Sequence, residues 1–123
     1  MDTVIWVAQI LVGLLFLAAG FMKLTQPKAK LQTNMKWVED FSPNTIKGIG
    51  ALELLGGVGV ILPSLTNILP VLSPLAALGL VLVMVGAIFT HIRRGETPFI
   101  VVNLVLLALA AFVAYGRFVA APL

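Results

Sequence analysis

The stretch SPNTIKGIGALELLGGVGVILP, running from Ser42 to Pro63, decides the fold. Ser42 places a capping hydroxyl directly before Pro43, and a proline at the first helical position loses nothing by lacking an N–H. The twenty residues of 43–62 are nearly all apolar or glycine, and Pro63 is the expected stop. A helix needs about 20 apolar residues to cross roughly 30 Å of hydrocarbon. This segment has that length, with one carboxylate, Glu53, close to its middle.

The same signal recurs. Ser73-Pro74 opens residues 74–93, which Gly95 ends, and Thr97-Pro98 opens residues 98–119, which Pro122 follows. Residues 3–24 form a further apolar run, opened by Asp2 and Thr3 and closed around Lys23. A cleaved signal peptide is disfavoured there, because the run starts with an acid and is too long for the apolar core of a signal. The expected fold is all-α: a four-transmembrane-helix bundle in a single membrane domain over residues 1–123.

Composition agrees. The 123 residues are 60% apolar and only 11% charged, with net charge +3, whereas a soluble domain of this size carries about a quarter charged residues. That excludes an ordinary soluble enzyme and a disordered tail. Basic residues sit at segment ends and form no patch, so no nucleic-acid partner is expected. Cysteine is absent, which removes disulfides and thiolate metal sites. With one histidine as well, haem bis-histidine ligation and a zinc site within one chain are excluded. No phosphate-binding loop is present, since Gly56, Gly57 and Gly59 lie inside a span.

Between the first two spans, Leu31, Asn34, Met35, Val38 and Phe41 fall on one helical stripe, with Lys36, Glu39 and Asp40 largely opposite. This predicts a short amphipathic interfacial segment over residues 28–41. A partly ordered loop is the alternative. Lys23, Lys28, Lys30, Lys36 and Lys47 flank this connection and Arg93 and Arg94 the third, so seven of eight basic residues share one face. The positive-inside rule puts that face in the cytoplasm of a cell (inner) membrane and both termini outside.

Polar groups inside a span need a reason. Helical spacing puts Gln9, Gly13, Gly20 and Lys23 on one face of the first span and Gly50, Glu53 and Gly57 on one face of the second. Asn103, Ala110, Ala114 and Arg117 align on the fourth. Gly79, Gly86 and Thr90 align on the third, with His91 one position beyond. Small residues let helices approach closely in lipid, so these faces are expected to form the bundle interior.

Glu53 and His91 are the candidate catalytic residues. Glu53 reads as a carboxylate that carries a proton or holds a ligand, against a structural carboxyl bonded to Asn103 or Lys23. His91 reads as a donor to a carbonyl or a proton relay, against an interfacial residue at a helix C-terminus. Glu53, Asn103, Lys23 and Arg93 are the candidate cofactor-binding set. Lys23 and Arg117 otherwise read as end anchors whose stems snorkel. No metal site is expected.

Several segments together resemble the DoxX family, in its DoxX-like branch. They are Gly20-Phe21-Met22-Lys23-Leu24, Gly50-Ala51-Leu52-Glu53-Leu54-Leu55-Gly56-Gly57, Ile61-Leu62-Pro63, Met84-Val85-Gly86-Ala87, Thr90-His91-Ile92-Arg93-Arg94-Gly95-Glu96 and Tyr115-Gly116-Arg117-Phe118. The resemblance implies a four-helix inner-membrane protein, and it singles out Glu53, His91, Lys23 and Arg117. The family takes its name from subunits of a thiosulfate:quinone oxidoreductase. The leading expectation is therefore a module that holds a quinone or similar lipophilic molecule for a membrane redox partner. A non-catalytic scaffold or chaperone for other membrane proteins, and a small-substrate transporter acting as a homo-oligomer, stay open.

Overall fold

The computed structural model describes residues 1–33 and 35–123. In chain order the helices are α1 (Asp2–Thr25), the single turn α2 (Lys28–Leu31), α3 (Pro43–Thr66), α4 (Leu72–Arg94) and α5 (Thr97–Tyr115). A 3₁₀ turn over Lys36–Asp40 lies between α2 and α3, and a π turn over Gly116–Ala120 extends α5. The four long helices, α5 with its extension, are each 23 or 24 residues long and apolar enough to cross a membrane. They form an up-and-down bundle in which α1 meets α3, α3 meets α4, α4 meets α5 and α5 returns to α1, with α1–α3 the most extensive interface. One end, here the basic end, carries residues 26–33, 35–42 and 95–96. The other carries both termini and residues 67–71.

Outside, the bundle is lined with Leu, Val and Phe side chains, among them Leu14, Phe21, Leu55, Leu82, Phe89 and Val101. An apolar surface this extensive has lipid as its natural solvent. Inside, Val12, Phe16, Val60, Leu80, Met84 and Val113 form the main core. A second cluster of Leu31, Val38 and Ile46 pins the 28–41 segment to the start of α3.

The helix starts differ in how they are made. Ser42 caps α3 as expected, its Oγ accepting from the Thr45 N–H at 3.2 Å. α4 begins at Leu72, two residues ahead of Pro74, and Ser73 is buried in a hydrogen bond from Ser64. Thr97 is the first residue of α5 instead of its cap. Pro63 does not stop α3, which runs on to Thr66 and ends at Asn67 in the left-handed conformation, φ 56°. Thr66 Oγ1 donates to Leu62 O at 2.8 Å, side-chain support of the kind that lets transmembrane helices carry proline.

The 28–41 segment is two short turns in place of one amphipathic helix. Thr33 Oγ1 donates to Lys30 O at 2.7 Å, and such local side-chain bonds compete with helix continuation. Its sidedness matches the stripe: Leu31 and Val38 are buried, Met35 and Phe41 half-buried, and Lys36, Glu39 and Asp40 exposed. Asn34, the remaining member of the stripe, lies outside the described residues.

Glycine sets the α1–α3 distance. A Cβ at Gly20 would stand 2.6 Å from Gly50 O and Leu54 N, and one at Gly57 would stand 2.8 Å from Gly13 O. Here the two backbones touch. On α4, in contrast, Gly79 and Gly86 are exposed, not interior as their stripe suggested. α4 instead packs through Ala77, Leu80 and Met84, because Leu80 fills the notch that Gly56 leaves on α3.

Gly20→Ala should therefore destabilise the protein in detergent by about 1–3 kcal/mol, the range for overpacking a tight interface. Gly79→Ala, with nothing within 4 Å of its added methyl among the described residues, should be neutral or slightly stabilising. Equal thermal midpoints for the two variants would remove the backbone contact as the determinant of α1–α3 packing.

Candidate functional site

The Gly20–Gly50 contact has a direct consequence at the same level of these antiparallel helices, where Lys23 lies against Gly50. Lys23 follows Gly20 by three residues and Glu53 follows Gly50 by three, so each side chain projects from the same closely packed seam. Lys23 Nζ donates to Glu53 Oε1 at 2.6 Å, and both residues are buried. Nζ also lies 5.6 Å from the Trp37 ring centroid, within cation–π range. Lys23 is thus turned inward and paired, where snorkelling to the interface was expected.

α4 contributes His91 from its last turn. The ring stacks on Phe99, with centroids 5.3 Å apart and planes 17° apart, and meets the edge of Trp37 at 6.5 Å. Its Nδ1 is 2.8 Å from Glu96 Oε1. An ionised carboxylate only accepts, so Nδ1 carries the proton in this contact, and in the neutral ring Nε2 is then the acceptor. Nε2 has no hydrogen-bond partner among the described residues. Asn103, one turn after Phe99, donates from Nδ2 to Phe99 O at 2.7 Å, which leaves its Oδ1 free of protein hydrogen bonds among the same residues.

Lys23, Glu53, His91 and Asn103 all line one cavity of about 440 Å³ near the basic end. Apart from Thr90 its remaining walls are apolar, among them Ile49, Leu52, Val83 and Met84 from the helices, and Met35, Trp37 and Phe41 from the 28–41 segment. This is a small-molecule volume, at the lower end of the usual range. Four of the expected site residues therefore meet. Arg93 does not join them; it is exposed, with its guanidinium 5.8 Å from the Phe89 ring.

Its neighbour Arg94, not singled out from the sequence as a site residue, takes the organising position. Nη2 donates to Glu39 Oε1 and Nη1 to Asp40 Oδ2, both at 2.7 Å, and Nε is 3.3 Å from Glu96 Oε2. One guanidinium thus fastens the 3₁₀ turn that carries Trp37 to the carboxylate that holds His91. Burial acts to raise the Glu96 carboxyl, but the contacts with His91 and Arg94 outweigh it and hold that carboxyl below its ordinary value.

The opposite end holds a second polar network. Arg117 donates from Nε to Gln9 Oε1 at 2.6 Å and from Nη1 to Asp2 Oδ1 at 2.6 Å and Ala121 O at 2.9 Å. Gln9 donates on to Val60 O and Ser64, and Ser64 to Ser73. Trp6 covers the guanidinium at 5.2 Å. Arg117 is a buried crosslink between helices, not an end anchor. Its alignment with Ala110 and Ala114 was the signal for this; the contribution of Ser64 and Ser73 had none.

Fold and site together define a four-span membrane bundle with an apolar cavity whose polar end is a buried lysine–carboxylate pair beside a histidine. The chain belongs to the DoxX-like family, whose model matches residues 7–113. That match includes Lys23, Glu53, His91 and Asn103 and ends short of Arg117. The comparisons with curated proteins and with solved structures each give no significant match.

Lys23→Met leaves Glu53 buried without its cation and should lower stability by about 3–5 kcal/mol. The double variant Lys23→Met/Glu53→Leu should recover most of that loss in thermal unfolding. A double variant no more stable than the single one would mean the two side chains do not depend on each other.

Because the folded-state value of Glu96 is lowered, its stabilising contribution is complete above the ordinary carboxylate range and is lost as pH falls through the folded value. The stability difference between wild type and Glu96→Gln should accordingly be constant near neutrality and shrink in acid. A difference that stays constant to the lowest pH at which the protein remains folded would take Glu96 out of the clasp.

Proposed function

We propose that the cavity binds a quinone or a similar lipophilic molecule with a polar ring end, and that the protein serves a membrane redox system as a subunit or accessory. The observation that carries this is the apolar cavity ending in the buried Lys23–Glu53 pair. A buried ion pair is rarely more stable than apolar residues of the same volume, and an ionisable group within a span is a functional candidate by default. Trp37 and Phe99 line the cavity and offer aromatic surface to a flat ring. Lys23 has N–H groups left to donate to a ring oxygen, Glu53 and His91 Nε2 are the candidate proton acceptors, and Asn103 Oδ1 adds a polar contact. A bound quinone would supply the electron-accepting chemistry, which takes up protons; this chain's residues would orient it and deliver protons to it, or accept them in the reverse direction.

The basic residues support an orientation for the site. Lys23, Lys28, Lys30, Lys36, Lys47, Arg93 and Arg94 all belong to the cavity end, which the positive-inside rule assigns to the cytoplasm of the inner membrane, with both termini outside. A second reading, a scaffold for partner membrane proteins, is favoured by the exposed Gly79 and Gly86 on α4, since small residues on a lipid-facing surface suit close helix docking.

Purified protein in nanodiscs should bind menaquinone or ubiquinone, and Glu53→Gln should weaken that binding about tenfold or more, the effect of losing a hydrogen bond to a charged group. Equal binding by wild type and variant, or none by either, would end this role for Glu53. A stoichiometric protein partner without any co-purifying small molecule would favour the scaffold.

A further inference from the structure

We infer that the cavity opens sideways into the bilayer between α3 and α4, so that its ligand is a membrane-dissolved amphiphile whose polar ring goes in while its apolar tail stays in lipid. This rests on the proposed reading of the cavity as a site for a lipophilic molecule and adds its route and the shape of the ligand. Near the connection that joins them, α3 and α4 are close-packed: a Cβ at Gly59 would be 2.8 Å from Ala76, and one at Gly56 would be 2.5 Å from Leu80. Beyond Leu80, toward the basic end, the cavity lies between the two helices, bordered by Ile49, Leu52 and Glu53 on one side and Leu82, Val83 and Gly86 on the other.

Two of these border residues face outward. Leu52 is 58% and Leu82 68% exposed, and both sit within helices that span the membrane, so the medium that covers them is lipid. Gly86 stands at the rim. It borders the cavity, yet a Cβ placed on it meets nothing within 4 Å among the described residues. The water side is different. There Met35, Trp37 and Phe41 form the wall, and Arg94 ties their segment down through Glu39 and Asp40. The aqueous face is covered and the bilayer face is open.

A volume of about 440 Å³ accommodates a ring and a short substituent. A long apolar chain attached to that ring has to leave through the gap, where Leu52 and Leu82 offer it an apolar rim. The buried polar groups at the inner end select the other half of the molecule.

Gly86→Phe narrows the gap with an apolar residue suited to lipid, and Gly79→Phe is the matched control, an equally open glycine two turns away that does not line the cavity. Both are made in a Trp6→Phe background, so that Trp37 in the cavity wall is the sole tryptophan and quinone quenching of its fluorescence reports occupancy. The probes are menaquinone with its isoprenoid tail and tail-less menadione, each with protein in nanodiscs. Gly86→Phe should bind tailed menaquinone about tenfold more weakly than Gly79→Phe, while menadione binds both alike. If the thermal midpoint of Gly86→Phe falls, Gly86→Leu is measured in its place and should show the same selectivity. Tailed menaquinone binding equally to both variants would overturn the lateral route while leaving the cavity reading intact. Equal loss of both probes in Gly86→Phe would put Gly86 inside the site and also overturn it. Failure of menadione and menaquinone to bind the Trp6→Phe protein would remove the cavity reading and this inference together.

Discussion

The contact between the backbones of Gly20 and Gly50 is the constraint from which the rest of the structure follows. Helices in lipid gain nothing from hiding apolar surface, because the solvent is equally apolar, so association depends on close packing and internal hydrogen bonds. With no side chain at either position, α1 and α3 approach until peptide groups touch. That distance brings Lys23 and Glu53 within 2.6 Å. Residues larger than glycine in this seam would separate the helices and with them the ion pair. The pair in turn forms the polar end of the cavity.

The two ends of the bundle use buried polarity in opposite ways. At the end bearing the termini, Arg117, Asp2, Gln9, Ser64 and Ser73 join α1, α3, α4 and the extension of α5 in one continuous network. Rings of bonded side chains there leave the apolar core packed tightly beneath. At the basic end the polar groups are distributed around a space. Lys23 and Glu53 bond each other, His91 bonds Glu96, Asn103 bonds its own helix, and acceptor atoms are left over. Bonded networks rigidify a structure, with Arg117 Nη2 alone among the buried atoms of this one lacking a partner among the described residues; acceptors left over around a cavity have capacity for a ligand.

Much of the fold was legible in the sequence, because span length is set by the bilayer and the three hydroxyl–proline pairs lie where helices begin. Helix ends were less so. Only Ser42 acts as a cap, since Ser73 has a better partner in Ser64 and α4 gains two residues ahead of Pro74. Of the site, Glu53 was legible as a carboxylate deep in an apolar run, and the glycines beside it marked its face. Which way the third span turns was not, because glycine serves equally for close packing and for an empty surface; Gly79 and Gly86 prove to be the latter. Nor does sequence distinguish Arg93 from Arg94. Successive residues point about 100° apart on a helix, and only the position of the 3₁₀ turn, itself set by Val38 in its pocket, decides which guanidinium finds Glu39 and Asp40.

Stability alone does not account for the Lys23–Glu53 pair. Removing two charges from water costs several kcal/mol per ion, and apolar residues of equal volume would pack the same seam without that penalty. The glycines that permit the pair also give up helix propensity, about 1 kcal/mol each relative to alanine. Two helices built to approach this closely and then furnished with opposite charges are worse as a plain membrane anchor than a leucine seam would be. The arrangement makes sense where the charges meet something other than each other. The cavity beside them, which His91 and Asn103 also line, is space available for such a meeting.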